Sequence, residues 1–233
     1  MNTQKITHYK TNTLDLRLMD CMELMKEYPD KHFDLAIVDP PYGIGVNVNM
    51  GRRKGDKPSD YHKFAGEDTE PPKIEYFQEL FRTSKNQIVW GANHFIERMP
   101  ISSPCWLMWD KGFSEEVTFA QFELAWTSFT TTCKKFDKHP ADPSRIHPTQ
   151  KPIALYRWLL ANYAKEGMKI LDTHLGSMSH AIAAHYSGVH LTGCELDPDY
   201  FAAGIARVKA ETSQMDMFAG TPKEKTIETP TML

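Results

Sequence analysis

A carboxylate, two prolines and a phenol stand in a row at Asp39-Pro40-Pro41-Tyr42, directly after the apolar run Phe33 to Val38. The row suits the handling of an exocyclic amine on a flat nucleobase. Such an amine is a poor nucleophile, because its lone pair is delocalised into the ring. Asp39 can accept one of its N–H groups and the Pro40 carbonyl the other, which favours a pyramidal nitrogen with its lone pair aimed at an electrophile. Proline has no N–H and a fixed φ, so Pro40 and Pro41 present their carbonyls rigidly, and the residue before each is held extended. Tyr42 can stack on the base, a contact worth about 1–3 kcal/mol, provided that the base has left its duplex. Asp-Pro-Pro before Tyr-Gly is also the composition of a strand-ending turn. The surrounding elements have to decide.

A second set of residues suits a nucleotide. Asp172 through Gly176 lies between a short strand pattern and a helix pattern, where backbone N–H groups and a helix N-terminus face a ligand. About twenty residues further on, Glu195 closes the next strand, at the spacing where an acid can accept both hydroxyls of a ribose.

Both sets need elements to hold them. Alternation over Leu14 to Met19 argues a half-buried strand ending at Asp20, followed by a short helix from Cys21 to Tyr28 and a buried strand from Phe33 to Val38. Pro72 opens a helix with Ile74, Phe77, Leu80 and Phe81 on one face. Strands are expected at Gln87 to Trp90, Cys105 to Trp109 and Phe122 to Trp126, and a helix from Pro152 with Leu155, Tyr156, Leu159, Leu160 and Tyr163 as its stripe. The last third has βαβ character. A strand at Lys169 to Leu171, a turn at Gly176-Ser177, a helix to Gly188, a strand at His190 to Cys194 and a helix capped by Asp197-Pro198 follow in turn. Strands alternating with helices imply an α/β fold with a mostly parallel sheet and helices on both faces. The expected organisation is a single domain over residues 1–210, with loops at 43–70 and 129–147 and a polar, disordered tail over 211–233.

With 233 residues, 41% hydrophobic and 24% charged, the chain suffices for one sizeable core and one domain. No apolar run approaches a membrane span, and the polar N-terminal stretch lacks a signal-peptide pattern. Cys21, Cys105, Cys133 and Cys194 are too scattered for zinc ligation or a disulfide framework, which points to a reducing cytoplasm. The histidines show no ligand spacing either, so no metal is expected. A net charge of −3 does not advertise nucleic-acid binding, but the charge is uneven. Gly51 to Lys63 carries Arg52, Arg53, Lys54, Lys57 and Lys63 against Asp56 and Asp60; Cys133 to Lys151 carries Lys134, Lys135, Lys138, Arg145 and Lys151 against Asp137 and Asp142. These are solvated loops or tracks for a phosphate backbone.

With these residues in place, the chain resembles the β class of amino-methylating DNA methyltransferases, which modify adenine N6 or cytosine N4, over about residues 10–210. In that class the Asp-Pro-Pro-Tyr tetrapeptide precedes the cofactor loop, a circular permutation of the usual order, as Asp39 to Tyr42 precede Asp172 here. His147-Pro148-Thr149-Gln150-Lys151-Pro152 looks like the segment before the first cofactor strand, residues 169–179 like the cofactor loop, and residues 190–208 like the ribose-binding segment. The resemblance implies a Rossmann-like, circularly permuted methyltransferase fold, with S-adenosylmethionine as methyl donor and double-stranded DNA as substrate. It implies that Glu195 holds the donor's ribose, Asp20 its adenine amine, and Asp172 with Leu175, Gly176 and Ser177 its methionyl part, with Thr149 and Lys151 at the carboxylate end. Asp before the prolines and Tyr after them favour adenine N6 over cytosine N4. Arg52, Arg53, Lys54, Lys134 and Lys135 become the expected DNA contacts. A bacterial or phage-encoded cytoplasmic enzyme, working as a homodimer, completes the expectation.

Met178 departs from the family's Gly-Ser-Gly loop, replacing the second glycine. If that position needs φ > 0, methionine carries a penalty, and a catalytically silent DNA-binding homologue is the alternative. The recognition stretches are short, which implies a short target sequence or help from a second subunit. In the tail, Gln214-Met215-Asp216-Met217-Phe218 looks like a sliding-clamp-binding peptide anchored by Gln214, Met217 and Phe218, with methionine standing in for leucine. The same hydrophobes could fold back on the body.

Overall fold

The computed structural model describes residues 6–45, 68, 70–99, 102–114, 120–140, 142, 145–147 and 149–216. Among them, nine strands form one sheet: β1 (His8–Lys10), β2 (Leu14–Leu18), β3 (Phe33–Val38), β4 (Ser84–Trp90), β5 (Trp106–Asp110), β6 (Phe122–Thr127), β7 (Lys134–Asp137), β8 (Lys169–Asp172) and β9 (His190–Glu195). They lie side by side as β1-β2-β9-β8-β3-β4-β6-β5-β7. From β2 through β4 every neighbour is parallel; β6 then runs antiparallel to both β4 and β5, and β7 adds to β5 in parallel. Five helices accompany the sheet: α1 (Cys21–Lys26), α2 (Ile74–Thr83), α3 (Ile153–Tyr163), α4 (Ser179–Ser187) and α5 (Pro198–Asp216).

β3 is apolar throughout because both of its faces are covered. Leu35 and Ile37 enter a core shared with α3, α4 and α5, while Ala36 and Val38 enter a second core with Leu24 and Met25 of α1 and Tyr76, Phe77 and Leu80 of α2. Near-continuous hydrophobicity is what a central parallel strand requires. Each core side chain of this size contributes about 1.5–3 kcal/mol when fully buried, so the centre of the sheet is the rigid part of the molecule.

The connections create the cleft. β8 leads through α4 to β9 on one side, whereas β3 leads through α2 to β4 on the other. The carboxyl ends of β8 and β3 therefore flank a topological switch point, the place where open α/β sheets bind ligands. Leu35 pairs with Ile170 and Ala36 with Leu171, so Asp172 and Asp39 emerge on the same rim, beside one another.

Three elements depart from the expected organisation. β1 pairs antiparallel with β2 but is too short to show a pattern. β7 occupies part of the stretch expected to be an irregular loop. Its exposed Lys134, Lys135 and Asp137 give no hydrophobic alternation, and the ladder to β5 is what holds it. α5 runs on to Asp216, into the stretch expected to be disordered, because Tyr186 of α4 donates to the Glu211 carbonyl at 2.8 Å and ties the last turns down. Among the described residues, no helix is long and apolar enough to cross a membrane.

Candidate active site

Asp39 stands one residue past β3 with both carboxylate oxygens engaged. Oδ1 accepts the Tyr42 hydroxyl at 2.7 Å, and Oδ2 lies 2.6 Å from Lys151 Nζ. Lys151 is also 2.8 Å from Glu123 Oε2, and Glu123 Oε1 is 2.6 Å from Lys111 Nζ. Lys111, Glu123, Lys151 and Asp39 thus form a line of alternating charge. Tyr42 closes it, since its hydroxyl accepts from Lys151 at 3.2 Å and lies 3.3 Å from Glu123 Oε2. The Lys151 side chain is only 3% exposed, and an unpaired ammonium there would be costly.

Burial and neighbours compete over each charge. Burial lifts the Asp39 carboxyl above the ordinary carboxylate range; Lys151 pulls it down, and Glu123 pushes it up again. Partial burial works to raise Glu123 too, but Lys151 and Lys111 together bring it below its ordinary value. Burial works to lower Lys151, yet Asp39 and Glu123 hold it above the usual lysine value. Burial, then Asp39 and Glu123, raise the Tyr42 phenol well beyond its ordinary value, so it stays a donor.

The sheet explains how four distant segments meet. β6 runs against β4 and β5, so it begins where they end; Glu123 pairs with Trp109, and Trp90 with Ala125. Lys111 follows β5 directly and bonds through its N–H to the Gln121 carbonyl at 2.9 Å. Lys151 arrives just ahead of α3, and its Nζ lies 5.4 Å from the Trp90 ring and 5.7 Å from the Tyr42 ring, within cation–π range. After β4 the chain turns at Gly91 with φ 71, and a Cβ there would overlap the Tyr42 ring. Glycine at 91 is what lets Tyr42 fold in, and the ring then stacks on His94 at 5.2 Å and 16°.

Across the crevice, Glu195 ends β9 beside Asp20, which follows β2; the Met19 N–H donates to the Glu195 carbonyl at 3.0 Å. Glu195 Oε2 accepts the Gly176 N–H at 2.8 Å, and Oε1 the Asp197 N–H at 2.9 Å. Burial raises this carboxyl above its ordinary value. Asp20 caps α1, its Oδ1 accepting from the Met22 and Glu23 N–H groups. Gly176 has φ 50, and a Cβ there would meet the His147 ring at ordinary contact distance, the nearest atom at 3.9 Å.

Asp172 is committed to the loop itself. It is 2% exposed; Oδ1 accepts the His174 N–H, and Oδ2 lies 2.8 Å from His180 Nδ1. Leu175 and Ser177 are likewise buried, Ser177 within 3.2 Å of Ser179. Burial drops His174 to about 4, so it is a neutral imidazole near pH 7. Met178 does adopt the left-handed backbone, φ 58 and ψ 25, and caps α4. Its side chain is fully buried against α5, where a Cβ on Gly204 would come within 2.8 Å of Met178 Cγ and 2.9 Å of Sδ. Arg207 of α5 secures the same loop, donating to the Ser177 carbonyl at 2.7 Å and to Ser179 Oγ at 2.9 Å.

Lys151, expected at the carboxylate end of a cofactor, sits between two carboxylates, Asp39 and Glu123. Thr149 bonds to His147 Nδ1 through its hydroxyl at 3.1 Å. Pro40 is buried and Pro41 exposed. Lys134 donates to Asn162 Oδ1, and Lys135 is paired with Asp137 and Asp110, so these two lie on the β7 edge with partners already. Arg52, Arg53 and Lys54 lie outside the described residues, as do Met217 and Phe218; Gln214 belongs to the backbone of α5. Glu123, Lys111, Gly91 and His94 were not among the expected site residues. Glu123 reads as a solvated position of a half-buried strand, and its only cue is a lysine directly after the preceding strand. Among the described residues, no three His, Cys, Asp or Glu side chains converge as metal ligands.

A protein of Escherichia coli (strain K12) named as a methylase, YubD, is 25% identical to this chain over 221 residues, covering 86% of this chain and 92% of its own length. Among solved structures, the PvuII DNA methyltransferase, described as cytosine-N4-specific, aligns with a TM-score of 0.58 at 11% identity, over 89% of this chain and 93% of its own. M1.HpyAVI in complex with SAM aligns at 0.55 and 15% identity, over 84% and 98%. Those likenesses carry the fold. A family model described as DNA methylase matches residues 89–206, half of the chain, from the end of β4 into α5. With that match behind the Asp39 rim and the Glu195 crevice, the protein belongs to the N6/N4 family of DNA methylases.

Proposed function

We propose that the protein transfers a methyl group from S-adenosylmethionine to N6 of adenine in double-stranded DNA. The crevice residues fit that donor. Two carboxylates stand at the ends of neighbouring strands, Glu195 closing β9 and Asp20 two residues past β2, with the turn at Gly176 against Glu195. Each Glu195 oxygen accepts one amide and keeps a lone pair, and Asp20 Oδ2 is left by the two amides that its Oδ1 accepts. Glu195 would hold the ribose hydroxyls and Asp20 the adenine amine, while the 175–177 backbone meets the methionyl part. When bound, S-adenosylmethionine supplies an electrophilic methyl group.

The protein's own part is to prepare the amine. A base swung out of its duplex, at a cost of a few kcal/mol, brings its N6 to Asp39. One N–H replaces the Tyr42 hydroxyl at Oδ1, and the other meets the Pro40 carbonyl. As the N–C bond formed, the donor's S–C bond would break to leave a neutral thioether, and the Asp39 carboxylate would stabilise the positive charge passed to nitrogen; the surplus proton would then leave to solvent. Alignment of this kind contributes up to about 7–11 kcal/mol. Asp39 ahead of the prolines and Tyr42 behind them favour adenine over cytosine. The burial of Met178 in the core supports an active loop over a silent one, because its side chain packs against Gly204 of α5 while the backbone keeps the left-handed conformation of the turn.

The observation that carries the proposal is Asp39 Oδ1, held at the switch point by a hydroxyl that a substrate amine can replace. Duplex DNA incubated with the protein and S-adenosylmethionine should yield N6-methyladenine on nucleoside mass analysis. Asp39→Ala should lower turnover by about 10²-fold or more while S-adenosylmethionine binding, measured by calorimetry, stays within about threefold. N4-methylcytosine as the product would overturn the choice of base. Equal loss of turnover and donor binding would make Asp39 structural.

A further inference from the structure

Sequence reasoning places Lys151 at the donor's carboxylate and gives Glu123 no role. The structure sets Lys151 against Asp39 and Glu123. We infer that Lys151 and Glu123 are positioning residues for Asp39: Lys151 holds Oδ2 and its charge, and Glu123, tethered by Lys111, holds Lys151 in place, which leaves Oδ1 for the incoming amine. This rests on the reaction proposed above for Asp39.

Three features carry the assignment. The contacts are short and continuous, at 2.6, 2.8 and 2.6 Å from Asp39 through Lys151 and Glu123 to Lys111. Lys151 is enclosed by Trp90, Tyr42 and the two carboxylates, so its ammonium cannot turn to another partner without leaving Asp39 short of a cation and Glu123 with Lys111 alone. Glu123 itself approaches the Tyr42 hydroxyl, so the same group that anchors Lys151 also guides the phenol that occupies Oδ1. The charges add up: two ammonium groups face two carboxylates, and the line is neutral as a whole. Deleting one member leaves an uncompensated charge beside the reacting nitrogen.

The two members act on Asp39 in opposite senses, which separates positioning from plain structural support. Asp39 faces Lys151 from the segment ahead of α3, Glu123 from β6 with Lys111 behind it, Tyr42 from its own connection with His94 stacked on that ring, and the Tyr156 phenol of α3 more remotely. Only ionised Asp39 accepts the amine, so the methylation rate falls as pH drops through its titration. Lys151→Met removes the cation and leaves Glu123, so Asp39 should take up its proton at higher pH. Glu123→Gln removes the anion and leaves the cation, so Asp39 should release its proton at lower pH.

The test is the pH dependence of single-turnover methylation by the full-length protein, wild type against both variants, together with the ¹³C carboxyl titration of Asp39 by NMR. The acid limb should move up by about one pH unit or more in Lys151→Met and down in Glu123→Gln, with the Asp39 resonance following. S-adenosylmethionine binding by calorimetry should change less than threefold in either. If Lys151→Met does not fold, the downward movement in Glu123→Gln decides alone. Unmoved limbs with uniformly lower rates would reduce both residues to structural supports. A tenfold loss of donor binding in Lys151→Met would return that residue to the donor's carboxylate. If the wild type methylates nothing, the failure belongs to the proposed reaction, and the Asp39 resonance still reports whether the two neighbours shift it oppositely.

Discussion

Tyr42 serves the site through two different parts of its side chain. Its hydroxyl occupies Asp39 Oδ1, while its ring, wedged over Gly91 and stacked on His94, is the surface that the proposed reaction offers to a target base. The parts can be separated by substitution. Tyr42→Phe keeps the ring and frees Oδ1, so kcat/KM for DNA should stay within about threefold of wild type or rise. Tyr42→Ala loses stacking worth about 1–3 kcal/mol, and kcat/KM should fall by about 10- to 100-fold. Steady-state kinetics at saturating donor check both. A large loss in Tyr42→Phe would mean that the hydroxyl takes part in the reaction rather than yielding its place.

α4 begins in an unusual way, with a methionine in left-handed conformation at its cap. The backbone cost, about 1–3 kcal/mol, is offset by burying the side chain against Gly204 of α5, worth about 1.5–3 kcal/mol. Met178→Gly should therefore destabilise the protein by about 1–3 kcal/mol in urea unfolding, although it restores the common glycine, because the cavity outweighs the relief of strain. Gly204→Ala should be destabilising alone and tolerated in the Met178→Gly background, a coupling that a double-mutant cycle measures. Additive effects would separate the two positions. The pairing across helices was not legible in the chain, where the departure at Met178 showed as a penalty without its compensation. Central elements were legible for a plain reason. β3 is buried on both faces, and the run from Phe33 to Val38 announces its own ends. β7 and the last turns of α5 were not, since Lys134, Lys135 and Asp137 carry no period and the bond from Tyr186 to Glu211 joins two helices. The same limit hid Glu123. A carboxylate in Phe-Glu-Leu-Ala-Trp looks solvated until the antiparallel pairing of β6 delivers it to Lys151.

For the molecule as a whole, a net charge of −3 means that DNA affinity must come from local basic groups, and it should fall steeply with salt. The structure grades two of them. Lys134 is bonded to a neutral amide, whereas Lys135 already faces Asp137 and Asp110. If the β7 edge lies on DNA, Lys134→Ala should reduce the slope of log Kd against log salt by about one and Lys135→Ala by clearly less, in fluorescence anisotropy titrations. Equal slopes for wild type and both variants would move the DNA away from that edge. The clamp peptide is constrained in a similar way: Gln214 lies within α5, so docking of Gln214, Met217 and Phe218 in an extended form would require the last turn to unwind. The basic edge on β7 lies at the sheet margin; Glu123 does not. Strand side chains alternate between faces, and Glu123 owes its direction to a hairpin in which it sits opposite Trp109. One residue inserted within β6 ahead of Glu123 would slide that pairing and aim the carboxylate through the opposite side of the sheet. The hairpin is thus a gauge, and the protonation state of a group on another strand depends on its length being kept.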